Sequence, residues 1–326
     1  MQRGERISQI LVALATIALV ALPVVAATFG STYAVTLATR LLIYGMVAVS
    51  LDLIIGYGGL ISFGHAAYFG LGGYTVAILA FQLAEGVPIF GYDGTNEALV
   101  AWPLAMLVSG LAALVFGALS LRTSGAYFIM ITLAFAQMVY YVFVALKYYG
   151  GDDGLAMARR NTLGGARIVD PQIFYYICLG LLAAVIFLVG RFTRSRFGMV
   201  LTGARMNERR MAALGFSVMR YRLVAFVIAG MIAGLGGALW ANLARFVSPD
   251  MMAWTKSGEF MVMVILGGLG SLFGPVLGAA AFILVESTLS ELTEYWQVLF
   301  GPVVVLIALF APRGLWGWLT VRRRGA

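Results

Sequence analysis

The chain reads as an all-α, polytopic inner-membrane protein, and three observations carry that reading. Hydrophobic residues make up 62% of its 326 positions and the mean hydropathy is +0.95, whereas an ordinary soluble domain is about 45–50% apolar. Apolar runs close to the roughly 20 residues needed to cross about 30 Å of hydrocarbon recur along the whole length. These runs are continuous, without the alternating segments of about 10 residues that mark a membrane barrel.

Taken in order, the first run, Ile7 to Phe29, follows Arg3 and Arg6. Its apolar core exceeds the roughly 7–15 residues of a secretory signal, so it is expected to stay as a helix. The spans that follow are expected at 33–55, 61–83, 98–120, 124–147, 172–191, 222–244, a short 258–269, 272–290 and 295–311; with 7–28 they make about ten crossings or part-crossings. With the N-terminus inside, the inner segments hold about 15 of the 22 Lys and Arg, eight of them between Arg191 and Arg222. That excess places both termini in the cytoplasm. It makes 192–221 an inner loop and 84–97 and 148–170 outer loops, and the whole of 1–326 a single transmembrane domain, since no loop is long enough to bury a core of its own.

The composition also excludes functions. Cys178 is the only cysteine and His65 the only histidine, so neither an internal disulfide nor a metal centre is expected. Lys147 and Lys256 are the only lysines, and neither sits in a G-x-x-x-x-G-K-[ST] phosphate loop. No cofactor is expected, and any ATP-driven energy source must lie in another polypeptide. The net charge of +8 is read as sidedness against lipid and not as nucleic-acid binding.

Two segments break the apolar pattern. "GYGGLISFGHAAYFGLGGY" runs from Gly56 to Tyr74, and "GGLGSLFGPVLG" from Gly267 to Gly278 behind an unusually short apolar run. Glycines here have two mechanical uses, close helix contact or an unwound stretch lining a cavity. Paired interrupted segments point toward a transport pathway. Candidate pathway or break residues are therefore Gly56, Gly59, Ser62, Gly64, His65, Glu259, Gly267, Gly268, Gly270, Gly274 and Pro275. His65, as a lone intramembrane histidine, is read as a hydrogen-bonding packing residue in preference to a proton relay. Asp52 and Glu286 are expected near helix ends, where interfacial solvation eases their charge. Arg40 lies twelve positions from Asp52, roughly 18 Å along a helix, and cannot pair with it. Gly94, in an outer loop, is expected to tolerate a side chain.

Within the arginine-rich loop, Val200 to Leu214 is rich in helix formers and is followed by Gly215 as a stop. A short helix on the surface of an inner loop has the form of a docking element.

These residues resemble the permease subunits of branched-chain amino acid ABC importers, in particular the LivM-like members, from about Ile43 to Arg313. Gly56, Gly59, Ser62, Gly64 and Ala66 match the family's G-x-x-G-x-x-S-x-G-x-A segment. Arg205, Asn207, Glu208, Ala212, Ala213, Leu214 and Gly215 follow its inner-loop pattern, with Met199 and Gly203 standing where members often carry Arg and Ala. "SPDMMAWTKSGEFMVMVILGGLGSLFGPVLGA", Ser248 to Ala279, looks like its SGE-to-GGxGxxxGPxxGA segment. The resemblance implies a non-enzymatic permease whose inner-loop residues couple to ATPases. Its expected partners are a second, LivH-like permease, two cytoplasmic ABC ATPases and a periplasmic substrate-binding protein. The cargo would be branched-chain or other amino acids, amides or urea. The competing expectation is an ion- or proton-coupled secondary transporter, which would need partnered charges in mid-membrane.

Overall fold

The computed structural model describes residues 17–23, 31–86, 93–293, 295, 298, 301–302 and 314–321. Helices dominate: α1 (Thr32–Asp52), α2 (His65–Glu85), α3 (Ala98–Ser120), α4 (Ala126–Ala145), α5 (Pro171–Thr193), α6 (Arg196–Met206), α7 (Glu208–Ala213), α8 (Val218–Ala244), α9 (Trp254–Gly267), α10 (Gly274–Leu292) and α11 (Gly314–Val321). Seven of them, α1 to α5, α8 and α10, are long and apolar enough to cross a membrane. The protein is thus a polytopic helical membrane protein. Of the ten expected spans, the first lies outside the described residues except for 17–23, and the tenth except for 295, 298 and 301–302. The eighth is α9, a helix of 14 residues, which at 1.5 Å per residue is too short to cross.

Local chemistry sets the helix ends. Ser31 Oγ accepts from the Ala34 amide at the start of α1, Asp170 caps α5 ahead of Pro171, and Ser195 caps α6. Each satisfies an amide that the helix itself cannot. Gly86, at φ 67°, closes α2 through its amide to the Gln82 carbonyl.

α1 is buried at every position from Leu42 through Asp52, as befits a helix at the centre of a bundle. α8 lies against both α2 and α3, and its glycines make the contact possible. A Cβ on Gly72 of α2 would overlap the Gly234 carbonyl of α8, one on Gly237 would overlap the Phe69 carbonyl, and one on Gly230 would press on Ala113 of α3. Lipid gives no hydrophobic drive between helices, so such backbone proximity and its van der Waals contact hold them together. Ser109 Oγ adds a bond from α3 to the Tyr68 carbonyl at 2.9 Å.

Two antiparallel strand pairs tie down the loop between α4 and α5. β1 (Leu155–Ala156) pairs with β4 (Phe246–Val247), and β2 (Thr162–Leu163) with β3 (Ala166–Arg167). Buried Asn161 fixes the loop on the bundle: its amide donates to Asn242 Oδ1 at 2.7 Å and its Nδ2 to Asn96 Oδ1 at 2.9 Å, while Trp102 Nε1 donates to its Oδ1.

The arginine-rich loop departs from the single helix expected over Val200 to Leu214. It forms α6 and α7, broken at Asn207, whose backbone turns extended (φ −157°, ψ 97°). Asn207 Oδ1 caps α7 by accepting from the Arg210 amide at 2.9 Å. An Asn side chain competes with helical backbone bonds and favours a cap. Gly215, at φ 87°, ends α7 as the sequence predicts, with its amide bonded to Ala212 and that of Phe216 to Met211.

Candidate translocation and coupling site

The first glycine-rich segment leaves α-geometry directly after Asp52. Leu53–Tyr57 is a single π-helical turn, a distortion that recurs at functional sites. A Cβ on Gly56 would overlap both the Asp52 carboxylate and the Gly270 amide. Gly59, at φ 70°, would set a Cβ 2.7 Å from Arg205 Cγ.

Gly64 precedes α2 and has no side chain to cap it, so tertiary partners supply the missing acceptors. Thr132 of α4 accepts from the Phe63 amide, Ser62 Oγ from Gly64, and Ser257 of α9 from Ala66 at 2.9 Å. His65 is fully buried, with Nε2 2.8 Å from Ser50 Oγ of α1. Of the two uses of glycine expected for this segment, close packing is seen at Gly72, while Gly56 to Gly59 form an irregular turn.

The second segment is the connection between α9 and α10. Gly268 (φ 111°) and Gly270 (φ 71°) adopt conformations open to glycine. Ser271 Oγ closes the turn on the Gly268 carbonyl at 2.6 Å. Gly267 and Gly278 let the two helices run against each other with no room for a Cβ, and Gly274 is closed in by Ser271. Pro275 lies in the first turn of α10, where its missing amide costs nothing.

The two segments meet. Asp52 Oδ1 accepts from the Gly270 amide at 2.8 Å, and Arg205 of α6 donates from Nη1 to the Gly56 carbonyl. Asp52 is 1% exposed, so the interfacial solvation expected for it is replaced by burial against a backbone donor. Sequence reasoning placed Arg205, Gly56, Gly59 and Gly270 among the candidates and missed Asp52 as the residue between them. The missed signal is a lone acid four residues before a glycine in an otherwise apolar run.

The other loop candidates lie apart from this joint. Glu208 pairs with Arg222 at 2.8 Å, and Ala212, Ala213, Leu214 and Gly215 are exposed. Beside them the apolar side chains of Met206 (83% exposed), Leu214 (66%) and Phe216 (38%) face outward.

A second polar group occupies the half of the bundle nearer the loop 148–170. Arg40 Nη2 donates to both Glu286 oxygens at 2.7 Å, which corrects the expectation of Glu286 as a solvated helix-end acid. Arg40 also stands over the rings of Tyr44 and Trp240, 5.3 and 5.8 Å from their centroids. Glu259 is paired with Lys256 at 2.6 Å. Low dielectric makes an unpaired charge expensive, so these side chains find partners on the nearest elements.

The segment leading into α3 holds an acid with a lowered pKa, Glu97. Thr162 Oγ1 and the amides of Gly164 and Gly165 all donate to the Glu97 carboxylate, and those bonds hold its pKa below the ordinary 4.5.

Comparison with known proteins agrees with this architecture. The family model described as "Branched-chain amino acid transport system / permease component" matches residues 33–309. The chain is 28% identical to the high-affinity branched-chain amino acid transport system permease protein LivM of Salmonella typhimurium, over 86% of this chain and 69% of that one. It is 25% identical to the probable branched-chain amino acid transport permease protein LivM of Methanocaldococcus jannaschii, over 84% and 90%. To the LivH permease protein of S. typhimurium the identity is 23%, over 84% and 91%. No solved structure matches. With most of its length, including both glycine breaks and the arginine-rich loop, inside the family match, the chain belongs to the permease-component family of branched-chain amino acid transport systems.

Proposed function

We propose that this chain is the transmembrane permease subunit of an ATP-driven importer in the bacterial inner membrane. It carries branched-chain or related amino acids from a periplasmic binding protein to the cytoplasm. Its partners are a second, LivH-like permease and two cytoplasmic ATPases, its termini are cytoplasmic, and its hydrophobic belt is covered by lipid. Arg205, Asn207, Glu208, Ala212, Ala213, Leu214 and Gly215 belong to the coupling surface, and the two glycine breaks to the moving part of the pathway.

The observation that carries this reading is the joint at Arg205. One residue of a basic surface helix bonds the first glycine break, which is itself bonded through Asp52 to the second. A displacement of α6 by a docked ATPase therefore acts on both irregular segments at once. Exposed Met206, Leu214 and Phe216 supply the apolar anchors such a dock needs.

The ion pairs at Arg40 and Lys256 are partnered charges, but they stand in the half of the bundle nearer the loop 148–170, whereas an ion-coupled secondary transporter would need them in mid-membrane. Family membership favours the ATP-driven reading, since the relatives are permease proteins of multi-component systems. Purification from the native membrane in mild detergent tests it, with an ATPase co-purifying in fixed stoichiometry and uptake surviving a protonophore when ATP is supplied. Ala212→Trp and Ala213→Trp should release the ATPase while leaving the permease in the membrane. Retention of the ATPase and of stimulated hydrolysis in both variants overturns the coupling assignment.

A further inference from the structure

A cavity of about 380 Å³ lies between α1, α2, α8 and the turn leading into α9, within the roughly 300–1,000 Å³ range of small-molecule sites. Its lining combines charged Arg40, Lys256 and Asp250 with apolar Phe69, Trp240 and Met251. No interaction needed for the coupling joint is made here.

The charge arrangement selects a class of ligand. Arg40 and Lys256 are each already matched by an acid, Glu286 and Glu259. An anion-binding site would present uncompensated positive charge. Each cation nevertheless keeps donors to offer. Arg40 has five N–H groups and meets Glu286 through Nη2 alone, and Lys256 Nζ has three hydrogens with one committed to Glu259. Asp250 is exposed at the cavity, and no ion pair holds it among the described residues. The cavity thus offers donors from two cations and acceptors from one acid, beside an aromatic wall. A molecule carrying one carboxylate, one ammonium and a short apolar side chain satisfies all three.

We propose that this cavity is a transit site for a zwitterionic, apolar α-amino acid, with the carboxylate toward Arg40 and Lys256, the ammonium toward Asp250 and the side chain against Phe69, Trp240 and Met251. The proposal rests on the importer reading above and gives its cargo a location in this chain. Because Arg40 and Lys256 are each matched by an acid before the ligand arrives, the carboxylate meets no uncompensated positive charge, and only Asp250 gains a new partner, so the zwitterion is held loosely enough to leave. That is what a pathway, as distinct from a storage site, requires.

The experiment uses the assembled importer, with both permeases and the ATPases, in proteoliposomes with its binding protein and tritiated L-leucine. Asp250→Asn, and Lys256→Gln combined with Glu259→Gln so that no acid is left unpaired, should each lower leucine uptake by about tenfold or more, the effect of losing a hydrogen bond to a charged group. ATP hydrolysis stimulated by the loaded binding protein should persist, since docking and coupling lie elsewhere; a merely structural defect would lower both. Photo-leucine carried in by the binding protein should crosslink to peptides holding Phe69, Trp240 or Met251, in competition with leucine. Wild-type uptake with unchanged rates in both variants, or crosslinks confined to other helices, overturns the site and leaves the importer reading standing. A wild-type complex that imports no leucine overturns that reading, and this site with it.

Discussion

Arg205 and Gly56 stand 149 positions apart in sequence, yet the guanidinium of one donates to the main-chain carbonyl of the other. The acceptor lies inside the π-helical turn that ends α1. A carbonyl in a turn of that kind lacks its usual intrahelical partner, and an arginine from a surface helix supplies one.

Replacing Arg205 with Ala removes a charge-assisted bond, costing about 1.5–3 kcal/mol at the joint. The ATPase is expected to remain bound through exposed Met206, Leu214 and Phe216, while substrate-stimulated hydrolysis and import fall together. Arg205→Lys should recover only part of the loss, since an ammonium lacks the planar fork. Reconstituted transport with co-purification measures all three; import at the wild-type rate in Arg205→Ala would break the link between loop and pathway.

Gly72→Leu should prevent α2 from meeting α8, because even a Cβ there overlaps the Gly234 carbonyl. Overpacking of this kind costs about 1–3 kcal/mol or more. Gly180→Leu on α5, where a Cβ has open space, should be neutral. Gly94, which the sequence suggested as the tolerant comparison, is not one: it has φ 76° and a Cβ there would stand 2.5 Å from the Leu79 carbonyl. Thermal unfolding of purified variants distinguishes the positions, and equal midpoints for Gly72→Leu and wild type would remove the close contact.

His65→Gln should assemble and retain transport, with a loss of about 0.5–1.5 kcal/mol if the amide fails to reach Ser50. Abolished transport in a stably assembled variant would instead make His65 a participant in the pathway.

Glu97 links the start of α3 to the β2–β3 turn only while it is ionised. Its pKa is lower folded than unfolded, so its contribution is complete above the ordinary 4.5 and is lost as pH falls through the depressed value. Protection of the Gly164 and Gly165 amides, their exchange corrected for its intrinsic pH dependence, should fall in that acid window and stay level there in Glu97→Gln. Identical profiles for the two proteins would show that the carboxylate does not hold the turn.

A cysteine at Asp153 should react with an impermeant maleimide in intact cells, and one at Arg209 only after permeabilisation, with Cys178 replaced by Ser in both. The positive-inside excess sets this expectation. Labelling in the reverse pattern would invert the protein in the membrane.

The sequence alone determined where the helices run. Ala98–Ser120 forms over the same residues as its apolar run, and α5, α8 and α10 begin and end within a few positions of theirs. Apolar length is a local property, and hydrocarbon imposes helix on any such run because each backbone group must bond within it. Local chemistry also announced the stop at Gly215. What the sequence left open was which helices meet. Asp52 with Gly270 and Arg40 with Glu286 lie 218 and 246 positions apart, and no spacing rule connects them. A buried charge must have a partner, but that requirement does not name it. The choice was made by the approach of the backbones, which followed from where glycines removed the side chains between them. Asn207 shows the same limit on a smaller scale. Its composition suits a continuous loop helix and its side chain suits a cap, and the packing of Gly203 of α6 against Met211 of α7 accompanies the second choice.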